Sequence, residues 1–297
     1  MTIEETQADP VARPRGILRR IRRPVFLYCV VPYLTMTVGF TVFQRSLMYR
    51  PTVADNLRIA DCQPLDGEDV QRTTPTNHKI HGWLIRNSRV NPIDEQSQLV
   101  VYFPGNSLNR RNRIDDLREF TSRGYDVLIF DYRGFGDSTG SPSETALTND
   151  ARLVWQYAID ELGYEETETV IFGESLGGAV ALSLWNEDNP HPPQPAALIL
   201  NSTFASMPRT VAWHFPWFPF QYLLLDRWPS IDRIGRVQSP IIIFHGDNDQ
   251  MIPLSHGKAL ADASTNAQFI EIRGGSHNDI PMLQLRKQLD ALKSIAQ

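Results

Sequence analysis

The run Gly173-Glu174-Ser175-Leu176-Gly177 places a serine between two glycines, directly after a short apolar stretch. Residues 169–172 are β-branched and aromatic, and residues 179–185 are rich in helix formers, so Ser175 falls where a strand reverses into a helix. So tight a turn brings strand and helix close together, and the two glycines remove side chains that would collide. A serine hydroxyl is a weak nucleophile at neutral pH, so it needs a base to take its proton and an acid to orient that base. For a serine on this kind of turn the acid comes next in the chain and the histidine last.

Of seven histidines, only His256 and His277 follow the later acids. His256 opens a helix too close in sequence to those acids, whereas His277, in Gly274-Gly275-Ser276-His277, sits just past the final strand and is the expected base. His245-Gly246-Asp247-Asn248-Asp249 offers two carboxylates at the end of the preceding strand, and spacing leaves Asp247 and Asp249 both open as the acid. His245 is read as a structural strand-end residue and Glu174 as a packing or solvated one. An oxyanion needs two N–H donors, each worth about 3 kcal/mol. Leu176 N–H supplies one, and the loop Pro104-Gly105-Asn106-Ser107 supplies the other, with Asn106 preferred over Ser107.

The elements that must position these groups alternate from residue 99 onward. Apolar strands are expected at 99–103, 127–131, 169–172, 197–200, 241–244 and 268–272, with earlier strands at 69–73 and 79–85. Helices are expected at 114–122, 146–162, 176–185, 255–263 and 281–295. This alternation implies an α/β fold with a mostly parallel central sheet, helices on both faces, and ligands at the carboxyl ends of the strands. Residues 202–236 break the rhythm: Trp213, Phe215, Trp217, Phe218, Phe220, Tyr222 and Trp228 are interrupted by prolines. The interval is either an irregular helix pair packed on the core or a cap whose apolar face lines an acyl site or touches a membrane.

The N-terminus has a different character. Arg13, Arg15, Arg19, Arg20, Arg22 and Arg23 precede residues 24–43, which carry no charge and are long enough to cross a bilayer. Residues 1–23 are therefore expected to be a basic cytoplasmic tail, 24–43 a transmembrane anchor, and 44–297 a catalytic domain on the far side, periplasmic in a bacterium. A net charge of -5 argues against nucleic acid as a partner, since phosphate binding needs a basic face and the arginines concentrate before the apolar run. The two cysteines, Cys29 and Cys62, are not expected to pair, and no Cys/His spacing resembles a zinc site. No cofactor or metal is expected, and the oligomeric state is open.

Several motifs together resemble the α/β-hydrolase superfamily: Phe103-Pro104-Gly105-Asn106, Asp131-Tyr132-Arg133-Gly134-Phe135-Gly136-Asp137-Ser138, the serine turn, His245-Gly246-Asp247-Asn248-Asp249, and Ser276-His277-Asn278-Asp279. The likeness runs from about residue 44 to the C-terminus. It is greatest to membrane-anchored serine hydrolases, a group that includes protein depalmitoylases and lipid hydrolases. That resemblance favours Asp249 as the acid, matches His277 as the base, and implies ester or thioester hydrolysis of lipid-like or acylated substrates. Pro104 departs from the histidine that the family commonly carries before Gly-Asn. A serine peptidase or amidase would share the same residues, and a catalytically idle membrane scaffold is the reading outside enzymes.

Overall fold

The computed structural model describes residues 22–87 and 98–277, so the expected helix at 281–295 and most of the basic tail lie outside the described residues. The chain divides into two compact units, Met1–Phe43 and Gln44–Gln297. In the first unit lies most of one long helix, Arg22–Met48, formed by a π-helical turn at Phe26–Val30 followed by α1 (Val31–Met48). The helix runs five residues beyond the charge-free run that ends at Phe43, because Gln44, Arg45, Leu47 and Met48 are good helix formers and Tyr49 N–H still bonds to Arg45 O. Among the described residues this is the one helix long and apolar enough to span a bilayer, and its apolar window has no buried residues.

The described residues of the second unit hold ten strands. These are β1 (Arg50–Pro51), β2 (Asp66–Thr73), β3 (Lys79–Arg86), β4 (Gln98–Phe103), β5 (Ser107–Leu108), β6 (Tyr125–Phe130), β7 (Thr169–Glu174), β8 (Ala197–Asn201), β9 (Ile241–Gly246) and β10 (Ala267–Ile272). Eight of them form one sheet in the order β2-β3-β6-β4-β7-β8-β9-β10. β3 pairs antiparallel with β2 and β6, and every other pairing is parallel. β6 and β9 are buried at every position, which is why they read as unbroken apolar runs rather than alternating ones. The small β1–β5 pair had no signal in sequence, because two-residue strands carry no period.

The crossovers are α2 (Ile114–Ser122), α3 (Glu144–Gln156, continuing through a π-helical turn to Glu161), α4 (Leu176–Leu182), α5 (Met207–His214), α6 (Ser230–Ile234) and α7 (Leu254–Asp262). Ser143 and Ser206 cap α3 and α5 by accepting from Ala146 and Arg209 N–H. The 202–236 interval holds α5, a 3-10 turn at Phe220–Tyr222 and α6. Phe220, Leu224 and Trp228 are buried, while Trp213, Phe215, Trp217 and Tyr222 face outward.

The core crosses the sheet. Tyr102, Phe120 and Phe172 pack ring on ring with centroids 4.8 to 6.1 Å apart, and Trp83 is fully buried with its indole N–H on Leu57 O. Each such aromatic contributes about 2–3 kcal/mol through burial alone. Cys29 and Cys62 are both free thiols.

The buried His256 opens α7 and joins it to the start of the 202–236 interval, its Nδ1 accepting Ala205 N–H at 3.1 Å. An acceptor nitrogen must be unprotonated, and burial, reinforced by the neighbouring His245 and Arg209, pushes its pKa down to about 4. The unfolded chain would protonate this histidine near 6.5, so between pH 6.5 and 4 the unfolded state holds more protons and stability falls as pH falls. Urea titrations across that window are expected to show a loss of about 3 kcal/mol. His256→Gln, which retains an acceptor but cannot titrate, should flatten that slope.

Candidate active site

β4 lies between β6 and β7, so successive crossovers leave it on opposite sides, and a crevice opens at its carboxyl end. Ser175 is placed there. It joins β7 to α4 with φ 53° and ψ -115°, a conformation that costs a non-glycine residue about 1–3 kcal/mol. Its N–H is held by Asn201 O at 2.7 Å, at the end of the neighbouring β8. The turn closes because the glycines leave no side chain in the way. A Cβ on Gly177 would lie 1.9 Å from Phe103 O, and one on Gly173 would lie 2.5 Å from Gly178 Cα.

His277 and Asp249 converge on that serine from two other loops. His277 Nε2 lies 3.0 Å from Ser175 Oγ, and Nδ1 lies 2.7 Å from Asp249 Oδ2. A carboxylate only accepts, so Nδ1 carries the proton and Nε2 is free to accept from the serine hydroxyl. Burial opposes charge on Asp249, but hydrogen bonds from His245, His277 and Ile252 N–H outweigh it and hold the carboxyl well below the usual range. Its Oδ1 accepts from both Met251 N–H and Ile252 N–H at 2.8 Å.

Spacing left two acids open, and the geometry separates them. Asp247 turns away and accepts Gly274 N–H at 2.6 Å, bracing the loop that carries His277. The structural place given to His245 becomes specific: its Nε2 lies 2.8 Å from Ile252 O and 3.4 Å from Asp249 Oδ2. Because Ile252 O only accepts, that nitrogen must be the protonated one, and it also faces the acid. The i,i+4 spacing of His245 and Asp249 was the available sequence signal.

Phe103 pairs with Gly173 in register, so the chain leaving β4 passes beside the serine turn. Leu176 opens α4 there with its side chain buried. Asn106 lies in the loop leaving β4, fixed by the end of α1 and the chain after it: its Nδ2 donates to Met48 O at 2.8 Å, and its backbone carbonyl accepts Arg50 N–H at 2.9 Å. Ser107 belongs to β5.

Three supports of this loop gave no sequence signal, because each contact is between residues far apart in the chain. Buried Tyr132 donates its hydroxyl to Pro104 O at 2.8 Å. Glu174 is neither solvated nor merely packed, since it pairs with Arg113 at 2.9 Å and accepts from Tyr102 Oη at 3.0 Å. The same hydroxyl lies 3.1 Å from Asp116, whose pKa burial and the Glu174 charge push up to about 6. Tyr132 stands just before the turn 133–138, where Arg133 pairs with Asp150, and Asp131 on its other side pairs with Arg110. Among the described residues no group of three His, Cys, Asp or Glu is placed to hold a metal. A cavity of about 410 Å³ is lined by Arg152, Trp155, Ile159, Leu184 and His191 and takes in none of the three convergent residues.

The close approach at Gly177 has a direct consequence. Gly177→Ala forces α4 away from the β4 carboxyl end, and overpacking of this kind costs about 1–3 kcal/mol or more. Thermal melts are expected to fall by about 5 °C or more, with loss of whatever activity depends on Ser175.

Comparison with known proteins bears on this arrangement. The model of a family described as serine aminopeptidase S33 matches residues 94–232. An uncharacterized Mycobacterium tuberculosis protein is 33% identical over 251 residues, covering 84% of this chain and 86% of its own length. The lysophosphatidylserine lipase ABHD12 of Danio rerio is 31% identical over 187 residues, covering 58% of this chain and 48% of its own. The fold is shared with a Pyrococcus furiosus esterase at a TM-score of 0.64 and 17% identity, over 82% of this chain and 97% of that one. A parallel sheet with a serine turn at its carboxyl edge, and relatives of this kind across most of its length, place the chain in the α/β-hydrolase superfamily.

Proposed function

We propose that the protein is a membrane-anchored serine hydrolase that cleaves carboxylic ester or thioester bonds of lipid-like or acylated substrates. The observation that carries this reading is the relay from Ser175 Oγ through His277 to Asp249, at 3.0 and 2.7 Å. Ser175 attacks the acyl carbonyl while His277 Nε2 takes its proton, and Asp249 holds the imidazole and offsets its charge. Leu176 N–H and Asn106 N–H stabilise the oxyanion. The oxyanion collapses, His277 returns the proton to the departing alcohol or thiol, and an acyl-enzyme remains. Water, deprotonated by His277, then releases the acid and restores Ser175.

The long apolar helix supports membrane anchoring, and the arginines before it support a cytoplasmic N-terminus with the hydrolase on the other side. The membrane is thus one partner and an acylated or small-molecule substrate the other, with no role for nucleic acid. The lipid-like substrate class is supported by the anchor, the aromatic 202–236 interval as a cap, and the lipase among the relatives. A peptidase or amidase reading is favoured by the family description, and the same relay would serve it.

A fluorophosphonate probe is expected to label the intact protein and to leave Ser175→Ala unlabelled; an unlabelled wild type would sink the serine mechanism. Asp249→Asn should lower kcat by about 10⁴ by removing the acceptor that fixes the His277 tautomer, whereas Asp247→Asn should stay within about tenfold. Profiling esters, thioesters and peptide amides of increasing acyl length separates the two substrate readings, with long-chain esters or thioesters expected to be preferred.

A further inference from the structure

The apolar helix leaves the globular unit at a fixed place. Gln44 donates through Nε2 to Leu223 O at 3.2 Å and accepts Leu225 N–H at 2.7 Å. Arg45 makes a two-point ion pair with buried Asp226 at 2.9 and 3.0 Å. Tyr49 Oη lies 3.0 Å from the same carboxylate and accepts Trp228 Nε1–H at 3.2 Å. Phe43, the last residue of the apolar run, is covalently next to Gln44, so a bilayer holding that run begins beside residues 223–226.

The surface at that place suits a bilayer. Trp217 is 86% exposed, Tyr222 77% and Leu225 63%, with half-exposed Trp213 nearby in the chain. These side chains stand on a packed base, since Phe220 is buried and stacks on Phe218 with centroids 4.7 Å apart. No Asp or Glu occurs from Asn201 to Leu225 along the chain, and the next carboxylate, Asp226, is buried and paired with Arg45. Tryptophan and tyrosine carry an apolar ring with a polar edge, the combination that favours the boundary between headgroups and acyl chains.

The same surface is tied to both sides of the active site. His214, at the end of α5, bonds through Nε2 to Met251 O at 2.9 Å, and Met251 N–H bonds to Asp249. At the other side Met48 O and Arg50 N–H hold Asn106.

We infer that Trp213, Trp217, Tyr222 and Leu225 form a docking surface that seats in the headgroup–acyl boundary of the bilayer holding the anchor, so that acylated substrate passes from the leaflet to Ser175 without crossing water. This rests on the reading of the Arg22–Met48 helix as a membrane span. Of the six tryptophans, Trp83, Trp155, Trp185 and Trp228 are buried, which leaves Trp213 and Trp217 to report contact with lipid.

The test uses the full chain reconstituted in unilamellar phosphatidylcholine vesicles, with or without bromine on the acyl chains close to the headgroup. Brominated vesicles are expected to quench part of the tryptophan emission, and that part should vanish in Trp213→Phe/Trp217→Phe. In Trp217→Ser/Tyr222→Ser, hydrolysis of soluble p-nitrophenyl butyrate should stay within about twofold while hydrolysis of a long-chain monoacylglycerol in the vesicles falls about tenfold or more. Alkaline carbonate reads the anchor separately. Extraction of the protein overturns the span and this proposal together, whereas retention without quenching overturns the docking surface alone. Equal loss on both substrates, or a dimer in sedimentation that Trp217→Ser/Tyr222→Ser dissociates, also overturns it, the latter by assigning the face to a second copy of the chain.

Discussion

The site depends on one close approach, that of α4 to the carboxyl end of β4. Phe103 O and Pro104 O occupy the space that a side chain at residue 177 would need. That contact puts the start of α4 against the loop that carries Asn106 and forces Ser175 into its positive-φ conformation. The backbone strain is held by parallel pairing on both sides, to β4 through Phe103 and Gly173 and to β8 through Glu174 and Asn201. A turn of this geometry persists only when its surroundings over-determine it, and here two buried strands do so.

Around this contact, charged groups are buried in paired sets. Asp249 meets two backbone N–H groups and two histidines, so a charge that burial would otherwise neutralise is retained where His277 needs it. Glu174, Arg113 and Tyr102 form a second set beside the loop that carries Asn106. Breaking a buried charged pair by removing one partner typically costs about 3–5 kcal/mol, so these sets fix geometry more than they add net stability. The last turn of α1 and the two residues after it extend the arrangement, since Gln44 to Arg50 are bonded both to the aromatic interval and to Asn106. Gln44 to Arg50, residues 223–228 and the loop that carries Asn106 therefore belong to one bonded region of the globular unit.

Some of this was legible in the chain and some was not. The parallel strands read clearly, because burial on both faces leaves unbroken apolar runs, and expected and observed limits differ by two residues at most for β4 to β10 apart from the two-residue β5. β2 was placed three residues short, since its edge position leaves most of its side chains exposed and erases the apolar signal. Helix 281–295 lies outside the described residues. The helix continues through residues 44–48, past the apolar run, because hydropathy stops at Phe43 while helical hydrogen bonding does not.

What the sequence alone determined is local: a serine on a glycine-flanked turn, a histidine past the final strand, an apolar run behind arginines, and a proline-broken aromatic interval. Each follows from neighbours a few residues apart, where steric fit and hydropathy act directly. The choice between Asp247 and Asp249 was not local. Both sit at the end of the same strand, and only the packing of the 249–252 turn against His245, and of the His277 loop against both, points one toward the imidazole and the other toward Gly274. Tyr132, Arg113 and Gln44 were silent for the same reason. Their partners lie from 28 to 181 residues away along the chain, and a hydrogen bond leaves no periodicity when only the fold brings its two ends together.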